Sequence, residues 1–391
     1  MKIVHLCLCG SVTDGWNYQD NLLTKWHHKN GHDVTIITSQ IIFNDKGLHI
    51  IRESNDNDYI NSDGVRTIRL PMLGGNDPSK PWSGIYEGVY SNLEKLQPEI
   101  LFIHGVVPGN LEEIVRYVKR HPEMRVYVDS HADYSNSGSK RMTIKKFIRN
   151  LIPRRFLRRC ALLPYARKYY GVLPARVDYL VKEYRIPREK CELLLMGADD
   201  DLVNEAKKPE VIDEIRRKHN IQPDDFLIMT GGKIDRAKTQ TLLLMEAVRN
   251  IQNEHVKLIV FGSVEEFMRE KFYSLVDDVN VQYIGWVEAR DSYKVFAASD
   301  LVVFPGRHSV FWEQVTGLGI PMLCKDWEGT HHVDLGGNVR FLTQDSTQEI
   351  QREIERLINF PEEYKRMKSV ALNEGIKTFS YKNIARQSIE E

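Results

Sequence analysis

Lys233 and Lys238 stand five residues apart, just after an apolar run FLIMT that closes on Gly231 and Gly232 and just before a helical stretch. Glycines, cations and a helix start in that order form an anion site. Backbone amides and the positive end of the helix dipole meet phosphate oxygens, and the lysines neutralise them. A diphosphate is the expected guest, and a solvated charged loop is the plain alternative. Further on, FPGRHSVFWEQVTGLGIPML reads as a strand, a turn holding Arg307, His308 and Ser309, a helix carrying Glu313, a glycine stop and another strand. A carboxylate in the first helical turn can accept from two vicinal hydroxyls such as those of a ribose. It can equally be a partner of the helix dipole. In the first half, Gly10, Asp14, Gly15, Tyr18 and Gln19 follow the first apolar run, His104 closes a middle one, and His131 follows another.

Some readings fall at once. Gly10 and Gly15 have the gap of a phosphate-binding P-loop, but Trp16 and Asn17 stand where Lys and Ser or Thr are required. Cys7 and Cys9 alternate on one strand face and read as packing. The pairs His27–His28 and His331–His332 point adjacent side chains apart with no carboxylate spacing to complete a metal site, and read as surface or packing residues. The acidic triplet Asp199–Asp201 lies in a polar stretch rather than at a strand exit. No metal site is expected.

The elements that must position these residues are short apolar runs alternating with helical segments. Lys2–Cys9, Asp33–Ser39, Ile100–His104, Val126–Ser130 and Gly171–Pro174 read as strands. A second set follows: Phe226–Thr230, Val256–Phe261, Val281–Ile284, Leu301–Phe304 and Met322–Cys324. Runs apolar on both faces and separated by helices indicate parallel, doubly wound sheets. The α/β reading is two Rossmann-like domains in tandem, residues 1–198 and 210–372, joined by a polar hinge at 199–209. Residues 373–391 form a terminal helix that can pack back on the first domain. Sheets of this kind bind ligands beyond the carboxyl ends of their strands, so two that face one another are expected to make a cleft.

Composition narrows the class. A chain of 391 residues exceeds the usual single core. Lysine plus arginine equals aspartate plus glutamate at 54 each, so no global charge favours a polyanion. Five widely spaced cysteines suit a reducing compartment. Neither a signal-peptide core nor an uncharged apolar stretch of about 18 residues occurs, so a cytoplasmic location is expected.

The string GGKIDRAK, the strand ends FGS and IGW, and FPGRHSVFWEQVTGLGIP together resemble the second domain of GT-B glycosyltransferases, specifically retaining family four. The resemblance implies a nucleoside diphosphate sugar as donor. Lys233 and Lys238 fall on the family's arginine and lysine that meet the diphosphate. The substitution keeps the charge and loses the planar fork. Of the family's two glutamates with seven residues between them, Glu313 matches the second, which holds the ribose, while Pro305 replaces the first, which contacts the donor sugar. Arg307, His308 and Ser309 stand there instead. Gly262, Gly285 and Trp286 would lie beside the base. VDSHAD maps His131 to the histidine near the reacting sugar, and LLLMGADD resembles the segment closing the first domain, with Gly197 and Asp199 in matching places. Gly10, Asp14, Gly15, Tyr18, Gln19 and His104 would serve the acceptor. The implied enzyme is a metal-independent retaining glycosyltransferase with no cofactor beyond its donor. Its acceptor would be a hydroxyl of a glycan or lipid-linked glycan, in cell-surface polysaccharide assembly. A nucleotide-sugar epimerase of the same fold and a two-domain sugar-binding protein are the alternatives.

Between Ser139 and Lys168 there are eleven basic residues and no acidic one, interleaved with Phe147, Ile148, Leu151, Ile152, Phe156 and Leu157. Lys145, Lys146, Arg149, Arg154, Arg155, Arg158 and Arg159 give the composition of a helix lying on an anionic bilayer surface. Peripheral attachment to the inner face of the cell membrane is expected, against the plainer reading of a solvated face. No nucleic-acid motif accompanies the patch.

Overall fold

The computed structural model describes residues 1–44, 48–81, 84–134 and 160–390. The chain divides into two compact units, one formed by Met1–Leu195 with Ile384–Glu391 and the other by Met196–Asn383. In the first, strands β1 (Lys2–Cys7), β2 (Asp33–Ser39), β3 (Ile41–Phe43), β4 (His49–Ile51), β5 (Asp58–Ile60), β6 (Arg66–Leu70), β7 (Ile100–His104), β8 (Arg125–Ser130), β9 (Ala166–Gly171) and β10 (Cys191–Leu193) occur in chain order. Eight of them form one sheet, β10-β9-β8-β7-β1-β2-β6-β5, and β3 pairs with β4 in an antiparallel hairpin. All neighbours in the large sheet run parallel except β5, which is antiparallel to β6. Every residue of β7 is buried, as expected for a strand covered on both faces. Helix Leu111–Arg120 adds Leu111, Ile114 and Val118 to a core shared with Val4, Leu6, Leu101 and Ile103.

The second unit is an all-parallel six-stranded sheet in the order β13-β12-β11-β14-β15-β16, from β11 (Phe226–Gly231), β12 (Val256–Phe261), β13 (Val281–Tyr283), β14 (Leu301–Phe304), β15 (Met322–Lys325) and β16 (Val339–Leu342). Its core joins Ile228, Leu258, Val260 and Val303 to Leu244 and Val248 of helix Gln240–Asn250.

The structure departs from the sequence reading at several elements. The strand expected at Gly171–Pro174 is the exit loop of β9, and a helix begins at Pro174. Arg167 and Lys168 mask β9 in the sequence; the β8–β9 pairing skips from Ala166 to Lys168, so Arg167 is the extra residue of an irregularity and both charges leave the core. The polar stretch expected as a hinge contains helix Asp200–Ala206. Asp199 caps it by accepting from the Asp201 amide, while Val203 and Ala206 are buried. Asp200 is occupied by Ser380 Oγ and the Lys382 amide. Strands β6 and β16 carry arginines and were not expected. Lys145, Lys146, Arg149, Arg154, Arg155, Arg158 and Arg159, expected from the sequence to meet a membrane, lie outside the described residues. Among the described residues no helix is long and apolar enough to cross a membrane.

Candidate functional site

In the second unit, the exits of β11, β12 and β13 are stitched backbone to backbone. The Gly232 amide donates to Phe261 O at 3.1 Å and the Gly262 amide to Gly285 O at 2.7 Å. Gly262 has φ +118°, and a Cβ there would stand 1.9 Å from Gly232 O, so only glycine allows this approach. Gly231, Gly232, Gly262 and Gly285 are thus brought together at the carboxyl ends of three neighbouring strands. Trp286 follows them, largely exposed, with its Nε1 donating to Glu288.

The two lysines part company. Lys238 enters a small pocket with Thr230, Gly231, Ile234, Thr241 and the β14 exit Phe304–Arg307. Its Nζ lies 3.3 Å from the point a Gly232 Cβ would occupy. Burial pulls the Lys238 pKa below that of a free lysine, Asp235 raises it and Arg307 lowers it further. An anion arriving in the pocket would relieve both the burial and the repulsion from Arg307. Lys233 instead points outward, 61% exposed, 3.5 Å from Glu265. The structure does not bring it into the pocket with Lys238.

Helix Phe311–Leu318 starts after the β14 exit and places Glu313 in its first turn, fully buried. His308 Nε2 and His332 Nε2 both meet Glu313 Oε1, at 2.8 and 2.9 Å. Burial would raise the Glu313 pKa, but the charges and hydrogen bonds of His308 and His332 outweigh it and bring it down to about 2. Glu313 is therefore a carboxylate whose Oε1 is used and whose Oε2 is not. Oε2 has no partner, and neither do Trp312 Nε1, Ser309 Oγ, Gln314 Oε1 and His332 Nδ1. Five of the eleven unpartnered buried side-chain polar atoms among the described residues thus collect around one helix start. Native interiors leave few such atoms, so a cluster of them marks a place where another molecule completes the hydrogen bonding. His332, read from sequence as half of a surface or packing pair, supplies one of the two donors. Its ligand atom and those of His308 and Glu313 lie within 4.8 Å of one another. A carboxylate does meet these histidines, then, and hydrogen bonds account for the geometry.

In the first unit, the expected acceptor residues divide. Asp14 is committed to structure: it accepts from Tyr59 Oη at 2.7 Å and pairs with the buried Arg69 at 3.3 Å. Gln19 is buried, with both amide atoms unpartnered. Tyr18 is exposed beside Trp16, and Trp16 stacks on Phe43 at 5.1 Å. Gly10 is open, and Gly15 has φ +78° with open space around it. His104 is buried at the end of β7, its Nδ1 2.8 Å from Asp129 Oδ2 and 3.0 Å from Asp20 Oδ1. His131 is partly exposed, 3.8 Å from Asp129 Oδ2. Asp20, Asp129 and His131 also bring ligand-type atoms within 4.8 Å.

Sequence reasoning passed over Asp20, Asp129 and His5, and read His27 with His28 as a surface or packing residue. His5 interrupts an otherwise apolar strand, KIVHLC, and a histidine inside a two-sided buried strand needs a polar partner. That was the available signal. Cys7 and Cys9 beside this cluster are driven by burial to thiol pKa values of about 11 and about 12, so both stay protonated.

Residues 211–373 match the family model described as Glycosyl transferases group 1. Three solved structures align along nearly the whole chain. A glycosyltransferase from Rickettsia africae is 11% identical, with 99% of this chain and 96% of that one covered and a TM-score of 0.66. HepE of Anabaena, solved with UDP, is 15% identical, with 99% and 98% covered and a TM-score of 0.63. UDP-GlcNAc 2-epimerase from Neisseria meningitidis, bound to UDP-GlcNAc, is 15% identical, with 100% and 99% covered and a TM-score of 0.65. A stretch of 76 residues is also 29% identical to the polyhedrin of Agrotis segetum nuclear polyhedrosis virus. It spans 19% of this chain and about a third of that protein. The chain has the GT-B fold of two Rossmann-like sheets.

Proposed function

We propose that this chain is a glycosyltransferase that moves a sugar from a nucleoside diphosphate sugar to a hydroxyl of a glycan or lipid-linked glycan. The observation that carries the reading is the second unit's combination of a half-buried Lys238, in a pocket at a glycine-rich strand exit, with the unpartnered polar atoms around Glu313. Lys238, with the amides of Gly231 and Gly232 nearby, takes the diphosphate. Glu313 Oε2 accepts from a ribose hydroxyl while His308 and His332 hold the carboxylate in place. Gly262, Gly285 and Trp286 stand by the base, and Arg307 and Ser309 act on the outer phosphate and the sugar. Exposed Lys233 assists by its field alone.

As the sugar to phosphate bond breaks, negative charge grows on the leaving diphosphate. Cations and amides already in place stabilise that charge without reorganising. Lys238 and Arg307 supply the positive charge in this reading, so the transfer proceeds without a metal. The match to group 1 transferases supports the reaction class. Retention of anomeric configuration and a role in polysaccharide assembly complete the proposal. His131 acts on the transferred sugar. His131→Ala is expected to keep nucleotide binding and lose transfer by at least about a hundredfold, the scale of one catalytic group. Unchanged turnover would remove His131 from the reaction. Incubating the protein with donor alone separates the epimerase reading, which would give a donor with one inverted sugar carbon.

A further inference from the structure

Four buried hydrogen bonds run in series through the first unit. His104 Nδ1 meets Asp129 Oδ2 at 2.8 Å, and His104 Nε2 meets His5 Nδ1 at 2.9 Å. His5 Nε2 meets His27 Nδ1 at 2.9 Å, and His27 Nε2 reaches Ala385 O at 2.8 Å and Ser388 Oγ at 2.9 Å. The three rings are buried. Protons can be counted along this chain. A peptide carbonyl only accepts, and Ser388 Oγ already donates its own hydrogen to Ala385 O, so His27 Nε2 must carry hydrogen. His27 Nδ1 is then the acceptor from His5 Nε2–H, and His5 Nδ1 the acceptor from His104 Nε2–H.

One gap remains, between His104 Nδ1 and Asp129, and it also needs a hydrogen. Three neutral imidazoles bring three N–H groups, and four gaps need four. The series holds one proton more than three neutral histidines. Its place is fixed by Asp20, whose Oδ1 lies 3.0 Å from the same His104 Nδ1. A proton on Asp129 would leave the imidazole lone pair facing the Asp20 carboxylate. A proton on His104 Nδ1 is shared by both carboxylates.

We infer that His5 and His27 are positioning residues that hold His104 as an imidazolium, and that this fixed cation sits between Asp20, in the first turn of helix Gln19–Lys29, and Asp129, at the end of β8, beside His131. Asp20 is the carboxylate of the pair that reaches solvent, at 25% exposure, where it can accept from a hydroxyl. The other groups facing the series agree with the count. Cys7 and Cys9 are neutral thiols, His131 approaches the same Asp129 Oδ2 at 3.8 Å without touching the three rings of the series, His32 meets His27 edge-on, and Phe102 stacks on His5. The proton affinities run the same way. Burial, with the neighbouring rings, pushes His5 well below a free histidine, and burial takes His27 down to about 3. At His104 the charge of Asp129 overrides burial and raises the pKa well above the ordinary value. The inference does not depend on the transfer reaction.

Nitrogen NMR of the full chain with 15N-labelled histidine tests it, with His104 assigned through bonds to its own backbone. Between pH 6 and 8 the spectrum should show both His104 nitrogens protonated, and His5 and His27 locked as neutral Nε2–H tautomers that do not titrate. His27→Gln keeps an acceptor oxygen and a donor nitrogen and should leave the His104 signature intact. His27→Phe breaks the series, and the doubly protonated signature should be lost by pH 8. A wild-type His104 with one bare nitrogen at pH 7 would overturn the inference, and so would identical His104 shifts in the two variants. Should His27→Phe not fold, the wild-type spectrum decides alone.

Discussion

Glu313 and His104 solve the same problem from opposite sides. Each is a buried group that would be neutral if burial alone acted. Glu313 stays ionised because two histidine N–H groups meet one of its oxygens, and His104 stays charged because two carboxylates meet one of its nitrogens. The pH consequences differ in sign. His27 has its affinity lowered to about 3 in the fold, from 6.5. Below pH 6.5 the unfolded chain takes up a proton there and the fold does not, so stability falls as pH drops from 6.5 toward 3. His104 works in reverse: its contribution is complete below pH 6.5 and is lost as pH rises through its raised folded value. His27→Gln should therefore lose less melting temperature than the wild type between pH 6.5 and 4.5. Parallel melting curves would contradict this. At this scale residue type beside a strand exit singled out the positions of Lys238, Glu313 and His104, but not the partners that surround them. The sequence was silent where partners come from distant strands. Nothing adjacent to His5 announces His27 or Asp129, and nothing adjacent to Glu313 announces His332.

Strand exits are the elements that build both candidate sites, and glycine decides how closely they approach. Gly262 holds φ +118° with Gly232 O where its Cβ would be. Gly262→Ala should destabilise the second unit by about 2–4 kcal/mol through backbone strain and the forced separation of β11 from β12. A thermal or denaturant melt measures it, and a change under about 0.5 kcal/mol would show that the exits are not rigid. The largely apolar runs β2, β7, β12 and β14 were legible to the residue, because burial on both sides leaves few charged positions to mislead. Strand β6 was missed since RTIRL carries two arginines. One is paired with Asp58 at the sheet edge, and the other, Arg69, is buried against Tyr59 and Asp14. Its partners lie 10 and 55 residues away, beyond any local pattern. Helix Asp200–Ala206 was taken for a linker because acidic residues that cap and start a helix look, in composition, like a loop.

At the scale of the molecule, the two α/β units follow from the repeated alternation of apolar runs and helices, which is why the fold class was legible throughout. The membrane attachment expected from the basic stretch 139–168 belongs to this scale as well. We expect the protein to co-sediment with vesicles containing about 30% anionic lipid and to be released by salt, since each basic residue near the surface contributes on the order of 1 kcal/mol. Binding that is equal on neutral vesicles would contradict it. The central claim is the donor site of the second unit. It is tested most directly by the thermal stability of the whole protein with UDP, GDP, ADP or TDP, a ligand at about 100 times its Kd adding roughly 2.7 kcal/mol. The account predicts a stabilising shift with at least one of the four that disappears in Lys238→Ala and persists, weakened at most severalfold in affinity, in Lys233→Ala. No shift with any nucleotide, or a shift that survives Lys238→Ala unchanged, would contradict it.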